Sequence, residues 1–181
     1  ANTTIAAVMR RRWSPSPRAC DTGGVEYASV VDVSQRVAAT TKRSDKVALL
    51  AELLRGASTE EVPVVVGFLV GAPRQGRVGV GWASLRDVRV PPAGAATVTV
   101  ADVDRTIDAL AAVVGAGSQR AREELLAGLF ARLTADEQHH LVRLFSGEMR
   151  QGANEGVVTD AVAKAAGVPA AALRRAVMLL G

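Results

Sequence analysis

The chain contains little of what would point directly to a catalytic or membrane function. It has one cysteine among 181 residues, so it cannot form a disulfide framework or a thiolate metal site. Aromatic residues make up only 3%, too few for a platform that stacks single-stranded bases. No apolar run reaches the ~18–20 residues that span a bilayer. No apolar segment follows the N-terminal arginines as in a secretory signal, so we expect a cytoplasmic protein without membrane contact.

Charge is nearly balanced over most of the chain. The formal net charge is +4 and the isoelectric point is about 10.0. Four of the 22 basic residues and two of the 18 acidic residues lie within residues 1–27, which leaves residues 28–181 with a net charge of only +2. A site for a polyanion must therefore come from local clustering of arginine and lysine, because the overall charge does not supply it.

Residues 1–27 are mixed in composition, contain proline, serine and glycine, and show no sustained periodicity. We expect most of this segment to be a disordered extension that precedes a helical domain over residues 28–181. The three arginines within residues 10–12 leave a second hypothesis open, in which the segment is a basic arm that touches DNA.

Apolar spacing predicts helices through most of the remaining chain. Three valines within residues 30–37 share one helical face, and four leucines within residues 49–54 have the spacing of a second core-facing helix. Ser58 and Glu61 have the spacing of a capping box. A linker is predicted over residues 86–99, where two prolines are adjacent. Further helices are predicted over residues 102–114, 155–166 and 169–180.

An internal repeat decides the one ambiguous segment. Residues 62–70, VPVVVGFLV, are dense in β-branched residues and too short for periodicity to separate strand from helix. Sliding the chain by 76 positions without gaps places residues 42–76 on 118–152, and the second copy of the ambiguous segment is plainly an amphipathic helix. We therefore predict a helix over residues 60–70. The fold class is predicted to be all-α, with about eight to ten helices in two pseudo-symmetric halves, about 30–90 and 101–181.

The repeat includes two related loops, Gly71-Ala-Pro-Arg-Gln-Gly76 and Gly147-Glu-Met-Arg-Gln-Gly152. A glycine-rich turn before a helix exposes backbone N–H groups beside the positive end of the helix dipole, and arginine adds a bidentate donor for phosphate. Two such loops on a pseudo-two-fold domain suit the two backbones of a duplex. The alternative is that the first glycine of each loop is a helix C-cap and that both turns are solvated connectors.

Other candidate motifs favour structural roles. Gly79-x-Gly81 lacks the third glycine of a dinucleotide fingerprint. The adjacent pair His139-His140 would point about 100° apart on a helix, which disfavours a shared metal ion. Asp102-x-Asp104 is more typical of a helix start than of a pair of metal ligands, and Trp82 is expected in the core. No Ser/His/Asp or Cys/His constellation for catalysis can be assembled.

The second loop and its surroundings resemble a known family. Residues 144–166 contain Leu-x-Gly-x-x-Arg-Gln-Gly followed by Glu-Gly and an alanine-rich helix, with Gly-Ala-Gly-Ser-Gln upstream at 115–119 and Leu-Arg-Arg-Ala-Val-Met-Leu-Leu-Gly at 173–181. Over about residues 30–181 the chain is similar to the N-terminal DNA-binding domain of ATP-dependent DNA ligases of the actinobacterial, mycobacterial type. The likeness is looser in the first loop, where Pro73 replaces the more usual Leu or Met.

The resemblance implies an all-helical domain that binds double-stranded DNA without sequence preference and is associated with the nucleoid. In that family the domain encircles nicked DNA together with a nucleotidyltransferase domain and an OB domain, mostly through minor-groove and phosphate contacts. The implied DNA-binding residues are Arg74, Gln75, Gly76, Arg77, Gly79 and Gly81 in the first loop; Arg150, Gln151, Gly152, Asn154 and Gly156 in the second; and Lys42, Arg43, Ser44, Lys46, Ser118, Gln119 and Arg120 at two helix starts.

One departure from the family limits what this chain can do alone. The family adenylates the lysine of a Lys-x-Asp-Gly motif, and none of the three lysines here, Lys42, Lys46 and Lys164, is followed by x-Asp-Gly. We therefore do not expect this chain to seal nicks. The resemblance implies ATP and Mg²⁺ as cofactors of a full-length parent enzyme, and no cofactor for this chain.

A second class of function stays open. Stacked helical units of near-neutral charge are also typical of a scaffold for protein interactions. The distribution of arginines separates the two hypotheses, because a DNA-binding domain needs them on a shared face and a scaffold does not. The diagnostic residues are Arg74, Arg77, Arg120 and Arg150.

Overall fold

The computed structural model describes residues 23–76, 78, 80, 85, 88, 90–149 and 152–180. These residues form no β-strand and contain only one isolated antiparallel bridge, between Glu26 and Thr99. The predicted all-α fold class is therefore confirmed. The helices of the described residues are α1 Tyr27–Ala39, α2 Arg43–Arg55, α3 Glu61–Val70, α4 Val100–Ala112, α5 Ser118–Phe130, α6 Ala135–Ser146, α7 Glu155–Ala166 and α8 Ala170–Leu180.

The apolar spacing predicted most of the core-facing positions of α1 and α2. Val30 and Val37 of α1 are fully buried, as are Leu50 and Leu54 of α2, whereas Leu49 and Leu53 are only partly buried. Helix α1 packs against α2, α3 and α6, so it lies at the centre of the described fold. Its valine stripe therefore contributes to the core by removing apolar surface from water.

Helix α3 is the segment whose sequence did not separate strand from helix, and the helix inferred from the repeat is confirmed. Val62, the valines at 64–66, Phe68 and Leu69 are all buried. A helix surrounded by core on nearly all sides needs apolar residues at nearly every position, so its sequence carries no 3.6-residue period.

The folded part begins earlier than the boundary we expected. Backbone hydrogen bonds join Val25 and Tyr27 to the chain that leads into α4. Tyr27 is fully buried, and its hydroxyl is hydrogen-bonded to Nδ1 of His140 at 2.7 Å. The boundary between extension and domain is corrected to about residue 25, because a tyrosine buried with its hydroxyl paired belongs to the core. Residues 1–22, where most of the predicted extension lies, are outside the described residues.

Helix α4 begins two residues before the predicted start at Asp102. Thr99 is its N-cap: Oγ1 of Thr99 accepts from the N–H of Asp102 at 3.1 Å, and the carboxylate of Asp102 accepts from the N–H of Thr99 at 3.1 Å. The acidic first turn is thus a capping box, which confirms the helix-start interpretation of this aspartate. Before α3, Ser58 and Glu61 make the same reciprocal pair of hydrogen bonds, as predicted.

Positions 76 residues apart have matching local structure. Helices α2 and α3 correspond to α5 and α6, and both α3 and α6 end at a left-handed glycine, Gly71 with φ 77° and Gly147 with φ 72°. The C-cap interpretation of these two glycines is confirmed. Helix α1 packs on α2 and α6, and α4 packs on α5 and α3, which is the pattern that two exchanged units would produce. The pseudo-symmetry of the two halves stays a prediction.

Candidate nucleic-acid interface

Helices α2 and α7 lie side by side and run in the same direction. Arg43, at the start of α2, donates to Asp160 in the middle of α7 at 2.7 Å, and Arg55, at the end of α2, donates to the carbonyl of Lys164 near the end of α7 at 3.2 Å. Parallel neighbours bring two positive dipole ends together. That end of the helix pair therefore favours a negative ligand before any side-chain charge is counted.

Lys46 reaches from α2 to the turn that precedes α7. Gly152 in this turn has a φ of 75°, and a Cβ atom there would lie 2.5 Å from Nζ of Lys46. Glycine suits this position because it adopts the left-handed backbone without strain and leaves room for the ammonium group. Two residues that the resemblance implicated from distant parts of the sequence thus lie together.

Arg43 lies further along α7, where its Nη2 would be 3.5 Å from a Cβ atom at Gly156. Between the two glycines, Asn154 is the N-cap of α7, and its Oδ1 accepts from the N–H of Val157 at 3.0 Å. The predicted start of this helix within residues 153–156 is confirmed. We define the α2–α7 face by five of the implicated residues: Arg43, Lys46, Gly152, Asn154 and Gly156.

Asp160 extends the α2–α7 face toward α8. Its two carboxylate oxygens accept from Nη2 of Arg43 at 2.7 Å and from Nη2 of Arg174 at 2.5 Å. The hydrogen bond from Arg174, followed by that from Arg43, lowers the pKa of Asp160, so the carboxyl group is ionised at neutral pH. Arg174 is not among the residues that the sequence implicated, because its contact crosses the turn between α7 and α8, whose angle no charge pattern specifies.

The first Arg-Gln-Gly loop faces acidic partners instead. Nε of Arg74 donates to the two carboxylate oxygens of Asp104 at 2.9 and 3.0 Å, and Nη2 donates to Asp104 at 2.8 Å and also to Asp108. The hydrogen bond with Asp104 makes the largest contribution to a raised pKa of Arg74. One guanidinium between two carboxylates leaves this group with a net charge of −1.

Gln75 is bound to the same two aspartates. Its Nε2 donates to Asp104 at 2.8 Å and to Asp108 at 3.0 Å, whereas Gly76 has a φ of 66° and open space around it. We define the acidic α4 cluster as Arg74, Gln75, Asp104 and Asp108. The two aspartates are four residues apart and share one face of α4, a spacing that could have indicated an arginine partner from the sequence.

The two related loops contact each other. A Cβ atom at Gly71 would lie 2.8 Å from Cβ of Met149, so the C-cap of α3 packs directly on the second loop. The loops therefore lie side by side even though the charges beside them differ.

The remaining implicated residues at the helix starts bond mainly within their own segments. Lys42 is the N-cap residue of α2, and Ser44 donates to the carboxylate of the next residue at 3.1 Å. In α5, Ser118 is the first helical residue, and Gln119 and Arg120 each donate to the glutamate four residues later, at 3.0 and 2.9 Å. Such exposed pairs along one helix contribute only about 0.3–0.5 kcal/mol each.

Five of the implicated residues lie outside the described part of the chain: Arg77, Gly79, Gly81, Arg150 and Gln151. Trp82, which we expected in the core, also lies outside it. Two diagnostic arginines remain, and they do not share a bonding partner. Arg74 belongs to the acidic α4 cluster, and Arg120 is bonded to Glu124 on its own helix. The clustering of cations that a polyanion requires is formed by Arg43, Lys46 and Arg174 instead.

Three alternative kinds of site can be checked against the described residues. No group of three or more His, Cys, Asp or Glu side chains in this part could hold a metal ion. His140, one of the two adjacent histidines that were weighed as metal ligands, is buried against the ring of Tyr27. No single described helix is long and apolar enough to cross a membrane; α7 and the first part of α8 reach that length only together, across a bend of 118°.

The fold and the α2–α7 face define a class: an all-helical domain with cations gathered at the starts of two parallel helices. Comparison with known proteins is more specific. Residues 83–163 match the family model described as DNA ligase N terminus. The chain is 51% identical over 155 residues to a probable DNA ligase of Rhodococcus opacus (strain B4), which covers 86% of this chain and 31% of that protein.

Other relatives carry the same name. A probable DNA ligase of Nocardia farcinica (strain IFM 10152) is 53% identical over 155 residues, covering 86% of this chain and 30% of its own length. One from Streptomyces griseus subsp. griseus is 54% identical over 154 residues, covering 85% and 30%. The chain thus spans about a third of the curated relatives it matches. It contains a DNA ligase N-terminal domain, which confirms the resemblance seen in the second loop.

Proposed function

We propose that this chain binds duplex DNA through the phosphate backbone, without sequence preference, and positions nicked DNA for the catalytic domains of a DNA ligase. The observation that carries the proposal is the α2–α7 face, where Lys46 and Arg43 lie over the start of α7. The names of the relatives, probable DNA ligases, agree with DNA as the partner.

Three physical features of the α2–α7 face suit a phosphate group. Two parallel helix N-termini supply N–H groups and positive dipole ends. Lys46 and Arg43 supply charge, and arginine can bind phosphate through two parallel N–H groups. Gly152 and Gly156 let a ligand approach the backbone closely. Contacts of this kind read the backbone and not the base edges, so all sequences should bind alike.

The proposal extends to a whole ligase in which this domain acts without doing the chemistry itself. A nucleotidyltransferase domain and an OB domain would bind the rest of the DNA duplex. ATP and Mg²⁺ would act in the nucleotidyltransferase domain. This chain supports that division of work because its three lysines lie outside any Lys-x-Asp-Gly motif. Its own role is to hold and orient the duplex, in a nucleoid-associated, cytoplasmic enzyme.

Titration of a fluorescently labelled nicked duplex with the wild-type chain, at several salt concentrations, tests the proposal. The logarithm of the binding constant should fall linearly with the logarithm of salt concentration, with a slope of about −0.9 for each phosphate neutralised. Duplexes of unrelated sequence should bind equally at a given salt concentration. Absence of binding to any duplex at low salt would contradict the proposal.

A matched pair of variants locates the binding surface. Lys46→Gln removes one positive charge from the α2–α7 face, and Arg36→Gln removes one from α1, where Arg36 is paired with Asp32 at 3.1 Å. We expect the Lys46 variant to bind duplex about tenfold more weakly, the scale of one charge-assisted hydrogen bond, and the Arg36 variant to change little. Equal losses would show that only the overall charge matters.

A scaffold for protein interactions is the second candidate function. The observation in its favour is an open groove between α4 and α5, where Leu125 and Leu129 lie beside Arg132. Arg74 and Arg120 also fail to join a common basic face. The duplex titration separates the two candidates, because a scaffold of this kind has no salt-dependent affinity for DNA.

A further inference from the structure

Three cationic side chains stand in order along α7. Lys46 lies at Gly152, Arg43 lies at Gly156 and bonds Asp160, and Arg174 bonds the other oxygen of Asp160. Gly156 and Asp160 are four residues apart, which is about 6 Å along a helix axis. The row of cations therefore continues beyond the last glycine of the α2–α7 face and onto α8.

Arg43 and Arg174 retain much of their hydrogen-bonding capacity. A guanidinium group has five N–H donors. Arg43 donates one of them to Asp160, and Arg174 donates two. The arginine side chains are 55% and 54% exposed, whereas that of Asp160 is 16% exposed. A ligand from solvent would therefore meet guanidinium edges before it met the carboxylate.

The charge of this triad favours an anion. One carboxylate between two guanidinium groups leaves a net charge of +1. The acidic α4 cluster has the opposite composition, one guanidinium between two carboxylates. At equal distance, the first arrangement attracts a phosphate and the second repels it.

We propose that Arg43 and Arg174, aligned by Asp160, bind a second phosphate of the duplex, beside the one held at Lys46 and Gly152. This inference rests on the proposed function and adds Arg174, and with it the start of α8, to the binding surface. Arg174 acts by direct contact, and Asp160 is a positioning residue that acts through the two arginines.

The alignment by Asp160 has a physical benefit for binding. A free arginine side chain has several rotatable bonds, and fixing it on a ligand costs conformational entropy. Here the ionised carboxylate already holds both planar groups in place, so less freedom is lost when a phosphate arrives. The same carboxylate compensates one of the two positive charges, which weakens the attraction for a phosphate.

The test compares Arg174→Gln with Arg175→Gln. The two arginines are adjacent on α8, and both are exposed, but they point about 100° apart on the helix. Each variant removes one charge. We expect Arg174→Gln to weaken binding of a nicked duplex about tenfold and to reduce the salt slope by about 0.9, and Arg175→Gln to leave the slope unchanged. Thermal unfolding of each variant is measured in parallel.

The outcomes separate this inference from the proposed function. If the wild-type chain binds no duplex, the proposed function fails. If the wild type binds and the Arg174 and Arg175 variants lose affinity equally, only the role of Arg174 is overturned. If Arg174→Gln does not fold, Arg174→Lys is used in its place, because it keeps the charge and removes the planar guanidinium group. We then expect weaker duplex binding with an unchanged salt slope. Wild-type affinity of this variant would contradict the inference.

Asp160→Asn distinguishes alignment from charge. The substitution makes the surface more positive by one unit, so a surface that acted by charge alone would bind duplex more tightly. Loss of alignment predicts weaker binding, by about threefold if each arginine loses part of its order. Tighter binding by this variant would overturn the positioning role of Asp160.

Discussion

The two Arg-Gln-Gly loops can be compared position by position, because each follows a helix that ends at a left-handed glycine, Gly71 or Gly147. In the first loop, Arg74 and Gln75 are bonded to two aspartates of α4. Beside the second, Lys46 lies at Gly152 and Arg43 at Gly156. One setting has an excess of negative charge and the other an excess of positive charge, although the loops touch each other.

This difference arises in the helices beside the loops. Helices α1 and α4 begin at Tyr27 and Val100, an offset of 73 positions, so Asp104 corresponds to Val31 and Asp108 to Gln35. Neither of these two residues carries a charge. The first half therefore has no carboxylate at the position that corresponds to Asp104, the residue that accepts most of the hydrogen bonds of Arg74. We expect the first loop to stabilise the packing of α3 on α4, and the second to meet the ligand.

The largest expected effect concerns a buried pair that one half has and the other lacks. Tyr27 and His140 are hydrogen-bonded between α1 and α6, and their counterparts in the other half, Val100 at the start of α4 and Val64 in α3, are buried apolar residues. Burial is the main cause that lowers the pKa of His140 from 6.5 to about 4. The unfolded chain therefore binds the proton more readily. The resulting stability is complete above about pH 6.5 and is lost as the pH falls toward 4, by up to roughly 3 kcal/mol.

Chemical unfolding at pH 7 and pH 4.5 measures this loss. His140→Gln should reduce the difference in unfolding free energy between the two pH values, because the buried titrating group is gone. His139→Gln is the matched control from the same helix and should keep most of the wild-type difference. An unchanged difference in the His140 variant would show that acid sensitivity arises elsewhere.

The second prediction compares Gly152→Ala with Gly76→Ala. The two glycines correspond after the shift and have φ values of 75° and 66°, so alanine should cost each about 1–2 kcal/mol of backbone strain. Only at Gly152 would the new methyl group displace Lys46. We expect similar losses of stability by chemical unfolding, and about tenfold weaker duplex binding for Gly152→Ala alone. Equal affinities of the two variants would remove Gly152 from the ligand surface.

The third prediction concerns the acidic α4 cluster. Arg74→Gln leaves Asp104, whose side chain is 13% exposed, without its main partner. We expect the free energy of unfolding to fall by about 1 kcal/mol, because the lost bonds are partly solvated, with duplex affinity within about twofold of wild type. Denaturant titration and duplex binding of the same variant measure both quantities. Full stability with weaker binding would reverse the roles assigned to the two loops.

Much of the fold was predictable from the sequence, because local patterns determine helices. The repeat identified α3 as a helix although its own composition favoured a strand, since the second copy kept an amphipathic pattern. The family resemblance implicated both Lys46 and Gly152, which the structure brings together, and their role in DNA binding stays a proposal. The start of the domain was placed too late, because Tyr27 stands in a segment without periodicity and is buried by partners far along the chain.

The electrostatics of the site was less predictable, because it depends on which helices become neighbours. That Arg74 meets Asp104, and that Arg43 and Arg174 share Asp160, follows from the packing of α4 beside the first loop and of α7 between α2 and α8. Helix angles and offsets of this kind are set by the whole core. A repeated loop in the sequence therefore predicts a repeated backbone shape, but not the same charge beside it.

We expect the α2–α7 face, and not the acidic α4 cluster, to bind the DNA backbone. The decisive comparison is the salt dependence of duplex binding for Lys46→Gln and Arg74→Gln, measured side by side. The slope should fall by about 0.9 for the Lys46 variant and stay at the wild-type value for the Arg74 variant. A reduced slope for Arg74→Gln together with an unchanged slope for Lys46→Gln would show that the two surfaces have the opposite roles.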